Sequence, residues 1–91
     1  MIRVAVIGLG NMGKHHARNY STIDNVKLVA VCDLNLELAE KTARKFSCKC
    51  YNNYNEMLSL EEIDAVSIVV PTNLHKKVAL ECINRNIDIL I

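Results

Sequence analysis

Residues 2–20 read IRVAVIGLGNMGKHHARNY. Ile2 to Ile7 is a nearly continuous apolar run, the pattern of a strand buried on both faces. It passes directly into Gly8-Leu9-Gly10-Asn11-Met12-Gly13, a G-x-G-x-x-G motif, and a helical pattern follows from Asn11 to about Tyr20. The glycine motif alone is weak. Between a strand and a helix it has the context that a dinucleotide-binding loop requires. Gly8 would permit the tight turn out of the strand. Gly10 would let a pyrophosphate approach the backbone, and Gly13 would let the helix pack closely on the strand. The amides of Asn11 and Met12 would face the phosphates, aided by the helix dipole. The plain alternative is an ordinary glycine turn.

Outward from this unit the same alternation repeats. KLVAVC at 27–32, AVSIVV at 65–70 and IDILI at 87–91 are further buried strands, with a short strand around 49–51. Between them lie helical segments. One begins after Asn35, a plausible N-cap, with Leu38, Ala39, Ala43 and Phe46 on one face. A short one covers Tyr54 to Leu58 near Asn53 and Asn55. The last runs from about Leu74 to Arg85, with Leu74, Val78, Ala79, Cys82 and Ile83 as its buried stripe. Strands alternating with helices predict a parallel, doubly wound α/β sheet of three layers. The expected strand order is 3-2-1-4-5, with ligands at the carboxyl ends of the strands where the order reverses. Residues 1–91 read as one domain. The run at 88–91 is the core of a fifth strand with nothing after it, so the expectation is a chain cut short there.

Composition narrows the class. Hydrophobic residues make up 51% of the 91, and 11 Lys and Arg face 10 Asp and Glu for a net charge of +1. That balance offers no electrostatic case for a nucleic-acid partner. No apolar run approaches the ~20 residues of a membrane span, and the start lacks a secretory pattern. The expectation is a soluble, cytoplasmic domain without a membrane partner. Cys32, Cys48, Cys50 and Cys82 are irregularly spaced. C-x-C at 48–50 matches structural zinc patterns poorly, so the four read as small apolar residues in a reducing compartment, with no metal site. His15 and His16 point to different helix faces and do not form a joint metal site.

Two further elements carry chemistry. Asp33 lies 20 residues after Gly13, at the carboxyl end of the second strand. A carboxylate there accepts hydrogen bonds from an adenosine ribose and repels a 2′-phosphate, and neither Leu34 nor Asn35 supplies a cation for that phosphate. NAD is therefore favoured over NADP. The plain reading of Asp33 is a cap or turn residue. Pro71-Thr72-Asn73-Leu74-His75 follows the fourth strand beside the same crevice. Pro71 would end the strand and Thr72 or Asn73 would cap the next helix or touch a ligand. His75 would lie in the first turn near the cleft, either as a functional group or as an exposed helical histidine.

Taken together, IRVAVIGLGNMGKHHARNY, VAVCD and the loop Pro71-Thr72-Asn73-Leu74-His75 resemble the N-terminal domain of the Gfo/Idh/MocA oxidoreductases. The resemblance covers essentially the whole chain. It includes His16-Ala17 after the glycines, Asp33 as the ribose acid, and a P-x-x-x-H loop. It implies an NAD(P)-dependent enzyme that transfers hydride to or from a sugar, inositol or nucleotide-sugar alcohol. It also implies a second domain that binds the substrate and builds a homo-oligomer. The family's Glu-Lys-Pro motif with the catalytic lysine would begin just after Ile91, so no catalytic residue is expected within the chain. Two other classes use related sheets: an NAD(H)-sensing regulator, and an S-adenosylmethionine-dependent methyltransferase. Gly13 and the 71–75 loop count against the methyltransferase.

Overall fold

The structure, a computed structural model, describes residues 1–90. Five strands, β1 (Ile2–Ile7), β2 (Val26–Cys32), β3 (Lys49–Tyr51), β4 (Ala65–Ile68) and β5 (Asp88–Leu90), form one parallel sheet in the order β3-β2-β1-β4-β5. The order matches the expectation. Helices α1 (Asn11–Thr22), α2 (Leu36–Phe46), α3 (Tyr54–Leu60) and α4 (Thr72–Asn84) connect them. Ile91, expected as the last residue of the fifth strand, lies outside the described residues.

The near-continuous apolar runs follow from two buried faces. Val4, Val6, Leu28 and Val31 pack under α1 and α2, whose Ala17, Ala39 and Ala43 let the helices approach the sheet. Ala5, Ile7, Ala30, Val66 and Ile68 pack on the other side against Met57 and Leu58 of α3 and Val78 and Cys82 of α4. Leu28 and Val31 are three apart yet share a face. The register explains it: Val4 pairs with Leu28 but Ala5 with Ala30, so β2 carries an extra residue at Val29. Such a bulge resets the two-residue alternation.

Helix ends match their sequence signals in part. Asn35 accepts from the Leu38 N–H and Asn53 from the Glu56 N–H, so both serve as N-caps. The fourth helix differs from expectation. It begins at Thr72, two residues before Leu74, and Pro71 takes the cap position with no side-chain cap bond. The Pro71 carbonyl accepts from Leu74 and His75 N–H, so Thr72 and Asn73 lie in the first turn and cap nothing. Pro71 does not end β4 either. The strand stops at Ile68, because β1 leaves the sheet at Gly8, and only Val69 N–H still reaches a β1 carbonyl, that of Ile7 at 2.8 Å.

One polar pair sits inside this core. Ser67 of β4 is buried, and its Oγ lies 2.6 Å from Tyr20 Oη on α1. The bond ties the last turn of the first helix to the fourth strand. Tyr20→Phe leaves the Ser67 hydroxyl without that partner, and leaving a buried polar group unpaired costs roughly 1–3 kcal/mol. The urea midpoint should fall accordingly with an unchanged slope. An unaltered midpoint would show that the hydroxyl pair contributes nothing.

Candidate functional site

The carboxyl ends of β1, β2 and β4 meet at one crevice. There a groove of about 460 Å3 is lined by Gly8, Leu9, Gly10, Asp33, Leu34, Val69, Val70, Pro71, Leu74 and Lys77, with residues 52–55 on its far wall. Its location is the reversal point in strand order, as ligand sites in open α/β sheets require.

The three glycines differ in kind. Gly8 holds φ +97°, and a Cβ there would overlap the Val69 carbonyl. A Cβ at Gly13 would overlap the Gly8 carbonyl, so helix α1 can lie against the strand end only with glycine there. These two are explained by the protein's own packing. Gly10 is not. A Cβ at Gly10 would meet nothing within 4 Å, and its backbone, φ −68° and ψ −170°, is open to any residue. Its bareness clears space on the groove wall that the polypeptide leaves unfilled. Beside it the helical ladder of α1 starts with Lys14 N–H to the Gly10 carbonyl at 2.9 Å, so the amides of Asn11 and Met12 precede the ladder. Bare backbone, unladdered amides and a helix dipole suit an anionic group such as a pyrophosphate.

Asp33 fastens this loop. Its Oδ2 accepts from the Leu9 N–H at 2.8 Å, its Oδ1 from the Asn35 N–H at 2.9 Å, and its own N–H bonds the Tyr51 carbonyl at 3.1 Å. The half-buried carboxylate thus sits on the groove wall with one amide on each oxygen. Each oxygen retains further acceptor capacity for the hydroxyls of a diol. Sequence reasoning placed Asp33 at the strand end but not in contact with the glycine turn, since the Leu9 bond depends on how β1 and β2 end side by side.

Of the residues singled out from sequence, the groove brings together Gly8, Leu9, Gly10, Asp33 and Pro71. Leu9 contributes through its backbone, because its side chain is fully buried. Asn11 and Met12 are exposed at the start of α1, and Gly13 is buried behind the loop. Thr72 and Asn73 are exposed and His75 is half-buried on the first turn of α4, next to the groove but not on its wall. From that helix the wall takes Leu74 and Lys77 instead. Sequence reasoning did not assign either to the site, nor Tyr54 and its asparagine neighbours. The available signal was the strand order, which brings the loop after β3 and the start of α4 to the same edge.

The cysteines belong to the scaffold. All four are free; burial, then the neighbouring Asp33 carboxylate, pushes the Cys32 thiol up to about 12. Burial, then Cys50, pushes Cys48 up to about 11, and burial, then Glu81, pushes Cys82 up to about 11. Burial thus holds these three thiols in the neutral form near pH 7. Among the described residues no group of three or more His, Cys, Asp or Glu is arranged to hold a metal.

A family model described as the oxidoreductase family, NAD-binding Rossmann fold, Gfo/Idh/MocA, matches residues 2–91. The chain belongs to the Gfo/Idh/MocA oxidoreductase family. It is 37% identical over 90 residues to UDP-N-acetylglucosamine 3-dehydrogenase of Acidithiobacillus ferrooxidans, covering 99% of this chain and 28% of that protein. Among solved structures, myo-inositol 2-dehydrogenase from Lactobacillus plantarum superposes with a TM-score of 0.90 at 37% identity, over 97% of this chain and 26% of that one. Scyllo-inositol dehydrogenase from Lactobacillus casei, solved with NAD(H) and scyllo-inositol, gives 0.92 at 26% identity, over 98% and 27%. The chain spans about a quarter of the length of the curated Gfo/Idh/MocA relatives it matches. Residues 2–91 correspond to the family's NAD-binding Rossmann fold.

Proposed function

We propose that these 91 residues hold NAD for an oxidoreductase that transfers hydride between the nicotinamide and an alcohol carbon of a sugar, inositol or nucleotide sugar. The observation that carries the reading is Gly10. It is bare where the fold does not need it to be, on the wall of a groove that the Asp33 carboxylate also lines, hydrogen-bonded to the neighbouring Leu9 N–H. The loop at 8–13 would take the pyrophosphate, Asp33 the adenosine ribose, and the 71–75 segment with Leu74 would flank the dinucleotide. When bound, the nicotinamide supplies the hydride acceptor or donor. The chain's own residues bind and orient.

Domain 1–91 would be the cofactor-binding part of a longer protein. Its substrate domain, catalytic lysine and homo-oligomeric interface would lie outside these residues, as the quarter-length match to relatives suggests. We place the protein in the cytoplasm, with a small polyol or sugar as substrate and neither membrane nor nucleic acid as partner. Four free cysteines and a net charge of +1 support this. No helix among the described residues is long and apolar enough to cross a membrane.

The test is calorimetric titration of the chain with NADH, NADPH and S-adenosylmethionine. One site for NADH, weaker NADPH and no response to S-adenosylmethionine are expected. Absence of NADH binding to the folded chain would overturn the assignment, and preference for S-adenosylmethionine would replace it with the methyltransferase reading.

A further inference from the structure

A second cavity lies apart from the dinucleotide groove. It is a cleft of about 560 Å3 between α1 and α2, on the opposite face of the sheet from α3 and α4. Lys14 and Arg18 line one side and Lys41 and Lys45 the other, with Leu38 and Phe46 between them. Four of the chain's 11 Lys and Arg converge here, and none of its 10 Asp and Glu lines the cleft. The near-neutral total therefore conceals a local concentration of positive charge.

Helix formation accounts for only part of this arrangement. Lys14 and Arg18 are four apart on α1, and Lys41 and Lys45 are four apart on α2. Like charges at that spacing destabilise a helix. Lys14 also stands near the positive end of the α1 dipole, whose first turn has no acidic residue to offset it. Only Lys45, in the last turn of α2, is favoured by its helix dipole. Glu37 stands four residues before Lys41, a spacing that suits an ion pair. Yet among the described residues none of the four cations has a carboxylate within 4 Å. The Lys45 ammonium lies 5.7 Å from the centroid of the Phe46 ring instead. Both helices thus set like charges four apart toward one cleft, and on α1 the helix dipole opposes Lys14 as well, with no local gain to offset it.

We propose that the α1–α2 cleft is a second ligand site, for a small molecule that carries more than one phosphate charge. Four unpaired cations are matched by a multiply charged anion, whereas a single carboxylate leaves most of them unmatched. The volume is that of a small-molecule site, and Leu38 and Phe46 offer an apolar seat for the ligand's uncharged part. The site is separate from the dinucleotide groove and does not depend on the function proposed for it.

Inorganic tripolyphosphate is the probe, titrated into the isotopically labelled chain and followed by amide shifts. The Gly10→Val chain is the background, so that the glycine loop cannot contribute. Shifts should cluster in 14–18 and 41–46. Lys41→Gln with Lys45→Gln should weaken binding at least about tenfold, the effect of losing ~1.4 kcal/mol. The same pair, in the otherwise unmodified chain, should leave NADH affinity within twofold. Shifts confined to 8–13, or affinity that survives the double substitution, would overturn the proposal. A glutamate-rich peptide binding more tightly than tripolyphosphate would replace the small-molecule ligand with a protein segment. Loss of NADPH binding alone in the double variant would make the cleft an extension of the dinucleotide site and overturn its independence.

Discussion

Gly10→Val should fold as the unmodified chain does and lose at least about 100-fold in NADH affinity, equivalent to ~2.7 kcal/mol. The backbone at Gly10 is extended and accommodates valine without strain, and no protein atom stands within 4 Å of the added Cβ. The branched side chain would instead fill the space kept clear in front of the Asn11 and Met12 amides. Far-UV circular dichroism and the denaturant midpoint should be unchanged while calorimetry shows the affinity gone. Gly13→Ala should behave oppositely. A single methyl there overlaps the Gly8 carbonyl, so helix and strand must separate, at a cost on the order of 3 kcal/mol. Equal NADH affinity in Gly10→Val would remove the phosphate role from the loop.

Cofactor choice should rest on Asp33, with NADH preferred over NADPH by at least about tenfold, a difference that needs only ~1.4 kcal/mol. A 2′-phosphate about 4 Å from the Asp33 carboxylate would meet repulsion on the order of a few kcal/mol at intermediate dielectric, less where water screens it. Asp33→Ser should narrow the ratio, and Asp33→Ser with Leu34→Arg should move it toward NADPH. Leu34 is 80% exposed on the groove wall, so an arginine there has room to reach a phosphate. Both variants should also bind either cofactor more weakly. A serine hydroxyl is too short to hold the Leu9 and Asn35 amides together, so the loop loses its fastening. The ratio of the two isotherms at one fixed salt concentration is therefore the readout. Equal binding of NADH and NADPH by the unmodified chain would show that Asp33 does not face the ribose.

The parts of the molecule that periodicity and glycine chemistry govern were legible in the sequence. Apolar runs bounded by helical patterns point to a parallel sheet, and the glycine motif after its first strand points to the 3-2-1-4-5 order of dinucleotide-binding folds. Asn35 and Asn53 were readable as caps because an N-cap bond is local. The start of α4 departs from its sequence signals for a related reason. Thr72 and Asn73 are residues that often cap, but Pro71 already has the extended backbone that opens the helix, so the side chains were not needed. β4 ends two residues before its apolar run does, because a valine run does not reveal where the neighbouring strand departs. In the groove, Asp33 and the glycines carry a motif, whereas Leu74, Lys77 and Tyr54 enter only through the meeting of three strand ends. The α1–α2 cleft escaped notice because net charge averages over the whole surface.

The fastening of the glycine turn bears on how quickly a ligand can be captured. Gly8 N–H bonds the Cys32 carbonyl, Leu9 N–H the Asp33 carboxylate and Val69 N–H the Ile7 carbonyl, all at 2.8 Å. The turn is thus held by three neighbours before any dinucleotide arrives. A binding surface already in its final shape forfeits little conformational freedom on association, so a larger share of the contact energy is retained as affinity. Capture should then proceed in a single step whose rate rises linearly with NADH concentration, with no slower ordering of the turn behind it.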